Sequence, residues 1–272
     1  MTSSYAEILD RIAAALAAAR EVFSRFTPGA IDAEFKAGHD PVTEADRALD
    51  VVLRRNLLRD GEGWLSEESV DDLSRLSKSR VWVVDPLDGT REFVQGVPEF
   101  CVSIGFVDQG HPVAGGICNP ATGETFIGAV DAGARYNGEP ARASSRSSLE
   151  GAVVLASRSE VKRGEWNQFE KGPMQIKAMG SVAYKLALVS AGRADATFTL
   201  TPKHEWDVAA GAALVLSSGG LVTTLDYAPF RANNRDVLLS GLIASGPDLE
   251  RELLEHLAPH IHSASLRSDT GG

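Results

Sequence analysis

The stretch Val81–Phe93, VWVVDPLDGTREF, constrains this chain more than any other. Four apolar residues, Val81 to Val84, are long enough for a buried strand and end abruptly at Asp85-Pro86. Pro86 has no N–H to give a ladder, so the strand is predicted to stop there. A second carboxylate, Asp88, precedes Gly89-Thr90. Two acids three residues apart at a strand end suit a divalent cation such as Mg²⁺, which takes carboxylate and phosphate oxygens. The Leu87 carbonyl, held between the acids, offers a further oxygen. The N–H groups of Gly89 and Thr90, if they open a helix, would receive an anion. A simple Asp-Gly turn, with Asp85 and Asp88 as turn formers, accounts for the same residues. This stretch alone does not decide between the two.

The chain has 272 residues, enough to bury a sizeable core, and divides most naturally into two parts. Its 27 basic and 37 acidic residues leave a formal net charge of −10, which argues against a nucleic-acid surface. An anionic substrate would need local cations to offset that charge. Cys101 and Cys118 sit in apolar, strand-like surroundings and are expected to be buried free thiols. The N-terminus lacks a basic-then-apolar signal pattern, and no apolar run approaches the roughly 18 residues of a membrane span. Cytoplasm is the expected compartment.

Ala6–Phe26 reads as an amphipathic helix stopped by Thr27-Pro28-Gly29. Phe35–Val42 is polar and Gly-bearing, and is expected to be a mobile loop. Thr43-Glu44-Ala45-Asp46 opens a second helix, where Asp46 either completes a capping box with Thr43 or serves at the mouth of a site. Trp64-Leu65-Ser66 then meets Glu67-Glu68, of which only one can follow the strand direction into a cleft. Three β-like runs follow, Cys101–Val107, Val113–Cys118 and Glu124–Val130, read as antiparallel hairpins. Gly133–Pro140 reads as turn, and a boundary is placed near residue 145, giving an α+β part (1–145) and an α/β part (146–272). The second part alternates: strand Ala152–Ala156, helix Ser181–Ser190, strand Ala194–Leu200, helix Asp207–Ser217, strand Leu238–Ala244 and helix Leu249–Leu257. Asp207 stands at a helix start, where N-capping is the usual role. Ser263–Gly272 is polar and expected to fray.

Asp40-Pro41-Val42-Thr43-Glu44-Ala45-Asp46, Ser66-Glu67-Glu68-Ser69, Asp85-Pro86-Leu87-Asp88-Gly89-Thr90 and Trp206-Asp207-Val208-Ala209-Ala210-Gly211 occur in this order and spacing. The set resembles the inositol monophosphatase superfamily of Mg²⁺-dependent, lithium-sensitive phosphomonoesterases, from the first helix to about residue 245. The resemblance implies a layered αβαβα sandwich of the inositol monophosphatase / fructose-1,6-bisphosphatase type, two to three Mg²⁺ ions and a homodimer. It also implies roles. Glu67, Asp85 and the Leu87 carbonyl match the ligands of a first metal, and Asp85, Asp88 and Asp207 those of a second. A third, weaker ion leans on Glu67. Asp46 and Thr90 match the pair that orients and activates the attacking water, with Glu67 beside them, and Asp88, Gly89 and Thr90 border the phosphate. Direct water attack is the expected mechanism, since no Ser or Cys has an obvious partner base. A non-catalytic metal-binding homologue is disfavoured because all six side chains, Asp46, Glu67, Asp85, Asp88, Thr90 and Asp207, are intact.

For the substrate, Arg91-Glu92-Phe93 and Ala156-Ser157-Arg158-Ser159 are similar to the 3′(2′),5′-bisphosphate nucleotidase branch. Arg158 would then bind a second phosphate, since guanidinium and phosphate match geometrically; an ordinary surface arginine is the competing reading. Several inositol phosphatases place a Glu seven residues before the Trp-Asp aspartate, where this chain has Leu200. Histidinol phosphatases of the superfamily can carry Thr-Arg-x-Phe here too. Phe198, Lys203 and His204 are candidates for the pocket lining, with Lys203 either pairing an anion or solvated. The expected substrate is 3′-phosphoadenosine 5′-phosphate, with inositol-1-phosphate and histidinol-phosphate as alternatives.

Overall fold

The computed structural model describes residues 5–35 and 41–268. Helix α1 (Ala6–Phe23) leads to the paired two-residue strands β1 (Glu34–Phe35) and β2 (Pro41–Val42), then α2 (Glu44–Leu57). Strand β3 (Gly63–Ser66) runs parallel to β4 (Arg80–Asp88), which is followed by the short helix α3 (Thr90–Gln95). An antiparallel meander completes a seven-stranded sheet: β5 (Cys101–Asp108), β6 (His111–Asn119), β7 (Glu124–Ala129), β8 (Gly133–Tyr136) and β9 (Glu139–Ala141). The remainder comprises β10 (Val153–Ser157), α4 (Arg158–Lys162), β11 (Gln175–Met179), α5 (Val182–Ser190), β12 (Ala196–Thr199), β13 (Lys203–His204), α6 (Glu205–Ser217), β14 (Leu221–Thr223), β15 (Leu238–Leu239), β16 (Leu242–Ser245) and α7 (Glu250–Ser268). Five of these strands form a second, mixed sheet in the order β11-β10-β12-β16-β14, while β13 pairs with β15.

Strand alternation shows why the layers stack. On β4, Trp82 and Val84 face a core built with α1 and α2, whereas Val81 and Val83 face one built with α5 and α6. Helices α5 and α6 are apolar on nearly every face, as expected of helices buried between two sheets. The second sheet turns its far side to α7, through Leu253 and Leu257, and to Leu249 just before it. The result is an αβαβα sandwich. Among the described residues, no helix is long and apolar enough to cross a membrane.

Glycines on the first sheet set the spacing of its helices. A Cβ on Gly115 would lie 2.4 Å from the Ala210 carbonyl oxygen on α6, and one on Gly116 would lie 2.1 Å from Ile12 Cγ2 on α1. Because the obstacle at Gly115 is backbone, Gly115→Ala is expected to destabilise the protein by about 1–3 kcal/mol. A denaturant midpoint equal to wild type would contradict this close seating.

Several expectations change. Strand β4 does not stop at Pro86; it continues to Asp88 through an irregularity, with Asp85 opposite Ser103 and Asp88 opposite Cys101. The proline's missing donor falls inside that bulge, so the ladder resumes beyond it. Gly133–Pro140 is a hairpin rather than plain turn, and Leu238–Ala244 is split at Gly241 between β15 and β16. Helix α1 ends at Phe23, three residues early. The final helix runs past Leu257 to Ser268, so the predicted frayed segment is helical in its first residues and Asp269–Gly272 lies outside the described residues. The expected mobile loop also falls largely outside them, at Lys36–Asp40. Both cysteines are buried and free.

Candidate active site

Parallel pairing of β3 with β4 puts Ser66 opposite Val84, so the next residues, Glu67 and Asp85, emerge side by side. The bulge at Pro86 then returns Asp88 to the same region. Asp207 arrives from the other side on α6, which packs against β4, β5 and β6. One carboxylate oxygen from each of Asp85, Asp88 and Asp207 lies within 4.8 Å of the other two. Asp207 is not the N-cap of α6. His204 takes that position, and Asp207, three residues on, accepts its N–H at 3.0 Å.

Each acid is held by its own partners. Asp85 accepts the Leu87 N–H at 3.0 Å. Oδ2 of Asp88 accepts the Ser181 hydroxyl at 2.7 Å and the Ala183 N–H at 2.6 Å, both at the start of α5. Burial, followed by the charges of Glu67, Asp88, Asp207 and Asp46, pushes Asp85 well above the usual carboxylate range. Burial, then Asp88 and Glu67, does the same to Asp207. Asp88 is raised by burial too, against the pull of Ser181, Ala183, Lys185 and Lys203. Crowded hard oxygens raised in this way lack positive charge, and the donor set fits a divalent cation.

Asp46 completes the capping box of α2 and also reaches Thr90. Its Oδ2 accepts the Thr43 N–H at 2.7 Å, completing the capping box of α2, and its Oδ1 accepts the Thr90 hydroxyl at 3.0 Å. Burial raises its pKa against those hydrogen bonds. Thr90 Oγ1 is also 2.9 Å from the Leu87 carbonyl, so its single proton has two acceptors. Gly89, at φ +95°, is the N-cap of α3; a Cβ there would lie 2.8 Å from the Glu99 carbonyl. Only glycine suits that turn.

Asp88, Gly89 and Thr90, but not Asp46 or Asp85, line a cavity of about 250 Å³ whose walls also include Glu67, Arg158, Lys185, Lys203 and Asp207. Arg158 ion-pairs with Glu99, its Nε 3.2 Å from Oε2. Lys203 is only partly exposed and pairs with Glu160 at 2.8 Å. Phe198 is not in the lining. It stacks on Trp166 within an apolar cluster, with ring centroids 4.4 Å apart.

Sequence reasoning missed Asp50, whose two oxygens accept the hydroxyls of Ser66 at 2.6 Å and Ser69 at 2.7 Å, bracketing Glu67. Its place four residues after Asp46, on one helix face, was the available signal. Asp50→Ala is expected to lower turnover about tenfold or more, as loss of a supporting shell does. Phosphate-release kinetics at saturating metal check it, and an unchanged rate would refute this support. Glu99, Glu160 and Lys185 gave no local signal.

The inositol monophosphatase family profile matches residues 4–266. The chain belongs to the inositol monophosphatase family. It is 34% identical over 235 residues to an inositol-1-monophosphatase of Mesorhizobium japonicum, covering 83% of this chain and 85% of that one. It is similar in structure to the Thermotoga maritima IMPase, with TM-score 0.82, 29% identity, and 95% and 99% of the two chains covered. CysQ from Bacteroides thetaiotaomicron, described as a bacterial member of the inositol monophosphatase family, has TM-score 0.76 at 27% identity, over 88% of this chain and 97% of that one. The protein is accordingly a phosphatase of this family, with the family's sandwich fold.

Proposed function

We propose that this family member is a Mg²⁺-dependent phosphomonoester hydrolase that uses water directly, and that its substrate is a 3′(2′),5′-bisphosphate nucleotide such as 3′-phosphoadenosine 5′-phosphate. The observation that carries the chemistry is the convergence of Asp85, Asp88 and Asp207 within 4.8 Å beside the Gly89-Thr90 turn. Glu67, Asp85 and the Leu87 carbonyl would hold one Mg²⁺, and Asp85, Asp88 and Asp207 a second. Bound there, the ions would make water more acidic and offset charge on the phosphoryl oxygens. The chain's own part is proton handling and positioning. Thr90 Oγ1, hydrogen-bonded to Asp46, accepts a proton from water as it passes its own proton to Asp46. Burial raises the proton affinity of Asp46, which favours that transfer. The N–H groups of Gly89 and Thr90 orient the phosphate.

The nucleotide reading is supported by Ser157, Arg158 and Ser159 lining the cavity together with Lys203. His204 and Trp206, stacked with centroids 4.5 Å apart and both in the lining, offer a flat surface for a planar base. A second reading, inositol-1-phosphate, is favoured by one observation: Arg158 and Lys203 each already have a carboxylate partner. The Mesorhizobium relative's name points the same way. Phosphate release with Mg²⁺ from both compounds, from histidinol-phosphate and from fructose-1,6-bisphosphate tests the choice. The nucleotide is expected to lead by about a hundredfold in kcat/KM, or roughly 2.7 kcal/mol. Arg158→Ala should raise KM for it about tenfold while sparing inositol-1-phosphate. A lead for inositol-1-phosphate would overturn the nucleotide assignment and leave the hydrolytic site in place.

A further inference from the structure

Glu160, in the first turn of α4, is 1% exposed and has no part in the chemistry above. Its Oε1 accepts from Lys203 Nζ at 2.8 Å and from Thr199 Oγ1 at 2.7 Å. Its Oε2 accepts from Trp166 Nε1 at 3.1 Å. A buried carboxylate needs such partners, because desolvating it unpaired is costly. The lysine itself is not sealed in. Its side chain is 15% exposed and lines the cavity with His204, Trp206 and Asp207. A lysine serving only to neutralise Glu160 has no need to face the cavity. Glu160 accepts one of its three N–H bonds, and the ammonium can donate others to a ligand.

Arg158 makes a useful contrast. It is 43% exposed, and its partner Glu99, 18% exposed, also accepts the Gly180 N–H at 2.7 Å, so that pair sits nearer to solvent. Lys203 is anchored to a carboxylate that Thr199 and Trp166 fix in turn. Immobilising a flexible side chain before binding removes an ordering cost from the binding step.

We propose that Glu160 is a positioning residue that holds Lys203 at the cavity wall, where the ammonium receives an anionic group on the leaving moiety of the substrate. This rests on the reading that the substrate carries a second anionic group. The test compares KM and kcat for 3′-phosphoadenosine 5′-phosphate and for p-nitrophenyl phosphate, whose leaving moiety has no second anion. Lys203→Met alone strands a buried charge on Glu160, so the deciding protein is the double variant Lys203→Met/Glu160→Gln, with Glu160→Gln beside it. The double variant is expected to raise KM for the nucleotide about tenfold or more, with kcat for both compounds and KM for the aryl phosphate within about twofold of wild type. Glu160→Gln should shift the nucleotide KM in the same direction by less. The two ideas fail separately. A wild-type enzyme with no preference for the nucleotide refutes the second anionic group, and the role of Lys203 with it. A preference that survives in the double variant refutes Lys203 and Glu160 alone. Equal rises in KM for both compounds, or a fall in kcat only, also overturn the proposal, because they mark a general structural effect.

Discussion

Asp88→Asn is expected to lower kcat/KM in Mg²⁺ by about a thousandfold, roughly 4 kcal/mol of activation free energy, with the fold retained. The reason lies in how the carboxylate is divided. Its Oδ2 is occupied by the Ser181 hydroxyl and the Ala183 N–H. An asparagine carbonyl placed there keeps both bonds, so the start of α5 stays anchored. The amide nitrogen then replaces the other oxygen, Oδ1, and it has hydrogens to present where a cation needs a lone pair. Removing one of three crowded charges should also raise the melting temperature of the metal-free protein slightly. Phosphate release across a Mg²⁺ titration, with thermal melts of both proteins, checks each part. More than a tenth of wild-type activity at saturating Mg²⁺ would sink the assignment of Asp88 as a metal ligand.

Mg²⁺ should stabilise the protein, and more so as pH rises. Asp85 and Asp207 lie well above the ordinary value of 3.8 in the folded state, and Asp88 lies above it. The folded protein therefore binds more protons than the unfolded chain over the range from 3.8 up to those raised values. The stability that these groups contribute is fully present below 3.8 and is lost as pH rises through their folded pKa values. With EDTA, this contribution should decline toward neutral pH. Divalent cations replace the protons and reverse the trend. At a hundredfold excess over Kd the gain is roughly 2.7 kcal/mol, which corresponds to about 5–10 °C in a chain of this size. Thermal melts between about pH 5 and 8, with EDTA or Mg²⁺, measure it. A melting temperature indifferent to Mg²⁺ at every pH would contradict a cation site at these carboxylates.

Much of this architecture could be read before any coordinates. The periodic apolar positions of α1 and α2, the hairpins of β5 to β7 and the acids at 46, 67, 85, 88 and 207 all carry local signals of period, turn or spacing. The misreadings have local causes as well. Pro86 suggests a stop, but a bulge absorbs it without ending the strand. Gly133–Pro140 is so rich in turn formers that two short strands hide in it. Asp207 resembles an N-cap because the true cap, His204, is a residue type seldom used there. Phe198 is close to Asp207 in sequence, yet it faces the Trp166 cluster. Local sequence favours a solvated Lys203, because its partner Glu160 is 43 residues away in the chain. Pairings of that kind arise only when distant segments are packed together.

The close seating of α6 on Gly115 has a consequence for how such enzymes diversify. It fixes Asp207 relative to the first sheet, so the hydrolytic carboxylates move as one unit with that sheet and its attached helix. Arg158 and Lys203, the cavity-lining side chains proposed to face the rest of a substrate, follow β10 and occupy β13 instead. Change in those segments can exchange one phosphate ester for another without moving the carboxylates. One inherited hydrolytic centre can thus be retained while lineages acquire unrelated substrates, and the residues that separate them should be sought in β13 and around the start of α4.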